Sequence, residues 1–497
     1  MRILIAFLVA AVIGPATPLL AEVMPSATII PPATAIPLTA ALAPAPAQPP
    51  VSEIPSALEL PSATADASTN DLAAPIGQLI DNAIADRLIA GGVAVVGNRD
   101  GILFSSARGR LDATVGAPPI DINTIFDLAS LTKVIATAPA IMKLVDEGRL
   151  ALTDPISRWY PAFGGRHGDI TIINLLTHTS GLEDRPVRRD ESMATVIRRA
   201  AAERHRPRPG SHFEYADINF IILGDLVHRI TGERLDEFCR NELYLPMNDT
   251  ETMFLPPSDL DDCIAPTVGT TLGTVQDPDS RRLGGVAGNA GLFSSAYDLS
   301  RFARMLLGGG VLEGKRILSK EAIAKMTTPY YCSSREIIRT PGWDVDTLYS
   351  APKGKYFSEC SFGHTGYSGT SIWIDPKLDL FVILLTNRLD YRDVTRFNQL
   401  RRDVSTVALA ELEAGGADRA AELTSSTPAA APVVIHRLPH LKTSCALPPR
   451  PHLRRHATRP RALRCYRRSR VMRRTSRLHR RRTRYHARRT WHRRRRR

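Results

Sequence analysis

Ser130-Leu131-Thr132-Lys133 places a hydroxyl and an amine three residues apart. On a helix those positions lie one turn apart on the same side, so the Lys133 amine can reach the Ser130 hydroxyl. A serine needs a base before it attacks a carbonyl. A lysine can be that base when burial or neighbouring charge lowers its pKa enough to populate the neutral amine. The pair therefore reads as a candidate acyl-forming nucleophile with its proton acceptor. The same spacing recurs at Ser350-Ala351-Pro352-Lys353, so spacing alone decides nothing. Ser350 sits in a turn-like stretch with Pro352 and Gly354. Ser130 instead opens an apolar run of Leu131, Val134, Ile135, Ala138, Ile141 and Val145 that ends at Gly148, with helical period. Its helix start would give Ser130 free backbone N–H groups and the positive end of the helix dipole. Pro139 inside the run predicts a kink or a break. The plainer reading of the same residues is an N-cap serine followed by a solvated lysine.

A second proton carrier stands in Phe213-Glu214-Tyr215-Ala216-Asp217, just before the apolar run Ile218 to Leu226, which reads as a helix. Tyr215 there can point its hydroxyl into a cleft, or be an ordinary half-buried aromatic. Asp217 can belong to the same cleft, or serve as the N-cap of the helix at Ile218.

These residues need a scaffold, and the pattern between about Asp71 and Ala414 is that of one globular unit. Asp71 to Ile89 predicts an amphipathic helix with Leu72, Ile76, Leu79, Ile80, Ile84 and Leu88 on one side. Gly92–Val96 and Ile102–Ser106 follow as a hairpin turned by Asn98-Arg99-Asp100-Gly101, and Thr370–Ile374 and Leu378–Leu385 form a second strand pair turned by Asp375-Pro376-Lys377. A last helix covers about Asp393 to Leu412. Helix, hairpin, long helical middle, strands and closing helix predict an α/β (α+β) fold, with an antiparallel sheet flanked by the terminal helices and an inserted helical subdomain.

The ends differ from this core. Residues 1–21, with Arg2, an apolar run Ile3–Ile13 and small residues at Ala16 and Ala21, have the pattern of a signal peptide. No later stretch reaches the roughly 18 apolar residues of a membrane span, so the expectation is an exported protein, periplasmic or extracellular. Residues 22–70 are Ala/Pro-rich with almost no charge, which predicts a disordered linker. Residues 415–497 are expected to be a disordered basic tail. From 423 onward they hold 25 of the chain's 65 Lys and Arg and none of its 50 Asp and Glu, leaving the remainder net −10. Such an arm repels itself, and it reads either as plain disorder without a partner or as an arm drawn to polyanions. With export, an anionic envelope polymer or membrane surface is favoured over nucleic acid. Of six cysteines, Cys239, Cys263, Cys332 and Cys360 lie in the folded part at spacings that suit no metal knuckle and fix no pairing. No Gly-x-Ser-x-Gly elbow is present, which argues against an α/β-hydrolase triad.

Four segments carry a resemblance. Phe126-Asp127-Leu128-Ala129-Ser130-Leu131-Thr132-Lys133, Leu175-Leu176-Thr177-His178-Thr179-Ser180-Gly181-Leu182, Tyr215-Ala216-Asp217 and Gly363-His364-Thr365-Gly366 look, in this order, like the motifs of the class C β-lactamase and penicillin-binding-protein family of serine hydrolases. Gly288-Asn289-Ala290-Gly291-Leu292-Phe293-Ser294-Ser295 is similar as well, and the likeness spans about residues 72–412. The resemblance is nearest the DD-carboxypeptidase branch. It implies a β-lactamase/transpeptidase-like fold, Ser130 as nucleophile, Lys133 and Tyr215 relaying its proton, and His364-Thr365-Gly366 on a strand edge. The oxyanion hole would be the backbone N–H groups of Ser130 and Tyr367. No metal or cofactor is implied.

Two positions depart from the commoner family pattern. Asp217 stands where many relatives carry asparagine, and His364 where they carry lysine. Each makes the site about one charge less positive, so a substrate carboxylate is attracted less than in an efficient β-lactamase. His364 is expected either to stay neutral and hold the strand edge, or to titrate near neutral pH and orient the leaving group. His178 is expected to be structural, behind the site. The reading is a monomeric serine hydrolase acting on amide or ester bonds of a small-molecule or peptidoglycan-derived substrate, a D-Ala peptidase or esterase. A β-lactamase and an inactive peptidoglycan-binding module are the alternatives.

Overall fold

Alternating side chains divide the central sheet into two faces. Val93, Val95, Ile383 and Leu385 point into one hydrophobic cluster, while Ala94, Val96, Val382 and Leu384 point into another. A strand buried on both faces reads as a continuous apolar run, as both of these do. The computed structural model describes residues 67–164, 170–203, 207–332, 338–345 and 352–425. Along the chain come α1 (Ala67–Ala85), β1 (Ile89–Gly97), β2 (Ile102–Gly109), α2 (Ala138–Asp146), α3 (Asp217–Thr231), β3 (Phe362–Thr365), β4 (Ser371–Asp375), β5 (Leu380–Arg388) and α4 (Val394–Ser425). The sheet runs β3-β4-β5-β1-β2, antiparallel throughout. Ile76 and Ile80 of α1 and Phe397, Val404 and Ala408 of α4 cover one face, and the helical insertion between β2 and β3 covers the other. The fold is that expected from the sequence.

Both turns form as read. Asn98 Oδ1 accepts from the backbone N–H groups of Asp100 and Gly101, and Asp375 Oδ1 accepts from those of Lys377 and Leu378. The element ends differ from expectation. α1 begins at Ala67, inside the segment assigned to the linker, and stops at Ala85. Arg87 turns left-handed (φ 56°) and the Leu88 N–H closes on Ala83 O, which frees Ile89 for the sheet. α4 continues through Ser425, because Ala and Glu sustain a helix after the apolar stripe stops at Leu412. Residues 1–66, Ser350 and the tail from 426 lie outside the described residues. Cys239 and Cys263 are free thiols, and Cys360 is disulfide-bonded. No helix among the described residues is long and apolar enough to cross a membrane.

The segment after Ser130 is not one helix. Ala129–Leu131 is a 3₁₀ turn, Lys133–Thr137 a π turn, and α2 starts only at Ala138. Pro139 falls in the first turn of α2, where its missing N–H is tolerated. The wide turn before it leaves carbonyls to other donors. Tyr244 Oη donates to Ile135 O at 3.3 Å, and Cys239 Sγ to Ala136 O at 3.7 Å. The break expected at Pro139 is thus present, as a change of helix type.

α3 meets the 288–291 loop closely. A Cβ on Gly288 would overlap Phe220 O and the Gly224 backbone. Gly288→Ala should force α3 off that loop and lower stability by about 1–3 kcal/mol, the usual range for overpacking. Urea unfolding measures this, and an unchanged midpoint would show that the contact gives way freely.

Candidate active site

Ser130 projects from a strained turn. Ala129, immediately before it, is left-handed at φ 47°, a conformation that costs an alanine of order 1–2 kcal/mol. Its neighbours hold it there. Asp127 Oδ1 accepts from Ala129 N at 2.8 Å and Oδ2 from Gln276 N at 2.6 Å, and burial raises the Asp127 pKa to about 6. Ser368 Oγ donates to Asp127 O at 2.6 Å and Thr370 Oγ1 to Leu128 O at 3.0 Å, binding the loop after β3 to this turn. Gly366 has to be glycine, since a Cβ would overlap Leu128 O and Thr370 Oγ1.

Lys133, wholly buried, lies one turn on, with Nζ 3.1 Å from Ser130 Oγ. The same nitrogen is 3.0 Å from Asn289 O and 2.7 Å from Asp217 Oδ1. An ammonium has three N–H bonds to give, and these three acceptors and Tyr215 surround it. Burial disfavours its charge, but the Asp217 carboxylate and Tyr215 outweigh burial and hold the pKa above the ordinary lysine range. This corrects the expectation that the site lowers the lysine pKa. The sequence reading counted burial but had no way to place Asp217 against the amine.

Asp217 is the first residue of α3, not its cap. Asp184 does the capping, its two oxygens accepting from Asp217 N and Ile218 N at 2.9 Å each. That leaves the Asp217 carboxylate free to face Lys133. Burial, and then the charge of Asp217, raise the pKa of Asp184.

Tyr215 hydrogen-bonds the Lys133 ammonium and stacks on His178, with ring centroids 4.4 Å apart. His178 is fully buried, and its Nδ1 accepts from Ala216 N at 3.2 Å, so it props Tyr215 from behind, as the sequence suggested. His364 of β3 lies across Tyr215 at 6.2 Å between centroids, and its Nδ1 donates to Thr365 O at 2.8 Å. Burial first, then Arg339 and Lys133, lower its pKa well below the usual value. Of the two readings of His364, the structure takes the neutral one. Thr365 ends β3, and Tyr367 lies half-exposed in the loop beyond it.

The Beta-lactamase family model matches residues 76–405. The chain belongs to the beta-lactamase family. It is a serine hydrolase with a β-lactamase/transpeptidase-like fold. Among curated relatives, a protein of Salmonella schwarzengrund named "Putative D-alanyl-D-alanine carboxypeptidase" is 29% identical over 306 residues, covering 54% of this chain and 70% of the relative. A penicillin-binding protein homolog from Caulobacter crescentus is 21% identical with a TM-score of 0.58, covering 69% of this chain and 98% of that one. A class C beta lactamase from Rhodobacter sphaeroides is 18% identical with a TM-score of 0.55, covering 68% and 98%. At such identities the likeness to the two structures is one of fold.

Three parts of this beta-lactamase-family site escaped the sequence reading. Asp184 caps a helix 33 residues away and has no local signature. Asn289 lies in the Gly288–Ser295 segment noted for its similarity, but its role does not show there, because it acts through its carbonyl, which any residue could supply. Asn219 is buried and sits on His178 Nδ1 at 3.3 Å while accepting from Ser180 Oγ, and it looked like one more polar residue in an apolar run. No metal-binding cluster of three or more His, Cys, Asp or Glu occurs among the described residues.

Asp217→Asn should leave burial as the main influence on Lys133 and so lower its pKa. The limb of the kcat/KM–pH profile that follows Lys133 then moves to lower pH. Profiles of ester hydrolysis by the two proteins read this directly, and an unmoved limb would mean that Asp217 does not hold the ammonium.

Proposed function

We propose that this beta-lactamase-family hydrolase forms an acyl-enzyme at Ser130 and acts on amide or ester bonds of small or peptidoglycan-derived substrates, as a D-Ala peptidase or a related esterase. The supporting observation is the convergence on one buried nitrogen. Lys133 Nζ contacts Ser130 Oγ, Asp217 and Tyr215 together. Ser130 Oγ attacks the carbonyl carbon, and the carbonyl oxygen takes the negative charge toward the Ser130 and Tyr367 N–H groups. The serine proton enters Lys133 as Lys133 passes one of its own to the Asp217 carboxylate. An ammonium can then act as a relay without first becoming an amine. Tyr215 protonates the departing amine or alcohol and regains a proton from Lys133, which takes back the one held on Asp217, so that the serine proton ends on the leaving group; water later cleaves the ester to Ser130.

The name carried by the Salmonella relative supports the peptidase reading over that of a β-lactamase. The charge balance favours the esterase side of this reading, since a D-Ala-D-Ala peptide and a β-lactam each carry a carboxylate and a simple ester need not. Asp217 neutralises Lys133 and His364 is neutral, so neither presents a cation to a substrate carboxylate. We further propose export to the cell envelope, on the pattern of residues 1–21, with attachment of the basic tail to an anionic envelope polymer or membrane surface.

Ser130→Ala should abolish both turnover and labelling by a fluorophosphonate or penicillin probe. The substrate class follows from a panel of a nitrophenyl ester, a D-Ala-D-Ala peptide and a chromogenic cephalosporin on one preparation. The ester and the peptide should be cleaved faster than the cephalosporin. Undiminished activity of the alanine variant would remove Ser130 from the mechanism, and a cephalosporin preference would make the protein a β-lactamase.

A further inference from the structure

Two arginines grip the loop after β3 from the side of the last helix. Arg401 of α4 is only 5% exposed. Its Nη2 donates to the carbonyls of Gly366 at 2.5 Å and Thr370 at 3.0 Å, and its Nη1 to Asn398 Oδ1 at 2.9 Å. Arg388, at the end of β5 and 3% exposed, donates Nη1 to the Tyr367 carbonyl at 3.3 Å. Phe397 lies under both guanidinium groups, at 4.5 Å from Arg388 and 4.7 Å from Arg401.

The peptide geometry turns this grip into an orientation. The peptide bonds of the described residues are trans, and in a trans peptide the C=O and the following N–H point in opposite directions. Holding the Gly366 carbonyl against Arg401 therefore aims the Tyr367 N–H away from α4. On its other side the loop is fastened to the Ser130 turn, through Ser368 to Asp127 O and Thr370 to Leu128 O. The N–H is thus presented toward the nucleophile.

We propose that Arg401 is a positioning residue for the oxyanion hole: it fixes the Gly366–Tyr367 peptide with its N–H on the substrate carbonyl oxygen, and with Arg388 it sets a positive potential behind that donor. The proposal rests on the reading of Ser130 as the acylated residue. Burying a guanidinium without a carboxylate is unfavourable even when carbonyls replace its water. Burial, and then the charge of Arg388, bring the Arg401 pKa down only to about 9, so it is a cation at neutral pH. Such a charge, with no carboxylate partner among the described residues, gains a counter-charge when the carbonyl oxygen becomes an oxyanion, which is the differential binding that lowers a barrier.

The test compares Arg401→Gln and Arg401→Lys with the wild-type full chain. Single-turnover acylation by a nitrophenyl ester, KM, the affinity of an arylboronic acid and the pH profile would each be measured, all below the unfolding temperature of each variant. A boronic acid adduct at Ser130 carries a tetrahedral, negatively charged centre and so reports on the hole. Arg401→Gln should slow acylation about 100-fold, the order of losing one oxyanion donor, and weaken boronate binding in parallel. KM should stay within about threefold, the pattern of an interaction made only in the transition state. The Lys133 limb of the pH profile should not move. Arg401→Lys should recover part of the loss, because an ammonium keeps the charge and reaches one carbonyl. If Arg401→Gln does not fold, Arg401→Lys and Arg388→Lys carry the same comparison. A variant that is merely less stable, with wild-type acylation and boronate affinity, would overturn the proposal. Absence of any acyl-enzyme in the wild type would instead remove the function beneath it.

Discussion

A single buried ammonium organises the cleft. Moving the Lys133 charge out of water costs several kcal/mol unless neighbours replace its hydration. The acceptors that do so come from distant stretches of chain: the Ser130 turn, the 288–291 loop, Tyr215 and the start of α3. Meeting on one nitrogen requires the loop and helix to touch. That is why Gly288 lies against Phe220 O with no room for a side chain, and why Thr137 Oγ1 donates to Gly288 O at 2.7 Å. The π turn belongs to the same requirement. By widening the helix just where Lys133 begins it, the turn spends backbone hydrogen bonds that Tyr244 and Cys239 partly replace.

The sheet contributes a second constraint, through its edge strand. β3 ends in Thr365, and the loop beyond it is fastened on both sides, to the carbonyls before Ser130 and to the arginines of β5 and α4. The strained Ala129 and the tight Gly366 are parts of one junction between two otherwise independent elements. Strain of this kind persists only when the surroundings over-determine it, and here the Asp127 carboxylate, Thr132 and Thr370 all act on the same few peptide units.

How much of this was legible in the chain follows from the range of each interaction. The apolar, β-rich runs Gly92–Val96 and Leu378–Leu385, and the Asn98 and Asp375 turns, are local, and the sheet is legible from them. The order of the Ser130, Tyr215 and His364 segments was legible by resemblance, and the structure brings those side chains together. Helix type after Ser130 was not legible, because period alone does not separate an α turn from a π turn over five residues. Nor was the charge state of Lys133. Burial and a carboxylate push its pKa in opposite directions, and only the position of Asp217 in space decides which wins. The ends of α1 and α4 were misjudged for a related reason: an apolar stripe records where a helix is buried, not where it stops.

The neutral histidine at position 364 fits this electrostatic arrangement better than a lysine would. Lys133, Arg339, Arg388 and Arg401 already place four buried cations around the cleft, and Asp217 and Asp344 pair with two of them. A lysine at a site 2% exposed would add a fifth positive charge where Arg339 and Lys133 already push His364 toward neutrality. Moving positive charge from the strand edge to the far side of the loop changes what it can do. On the edge a cation meets the substrate directly and favours an anionic group in the ground state. Behind the Gly366–Tyr367 peptide it is shielded from substrate, and it acts chiefly on the oxygen that becomes negative during attack. This arrangement weakens recognition of a substrate carboxylate and keeps transition-state stabilisation, which is the balance expected of an esterase, and which leaves a D-Ala peptidase to hold the terminal carboxylate by neutral donors.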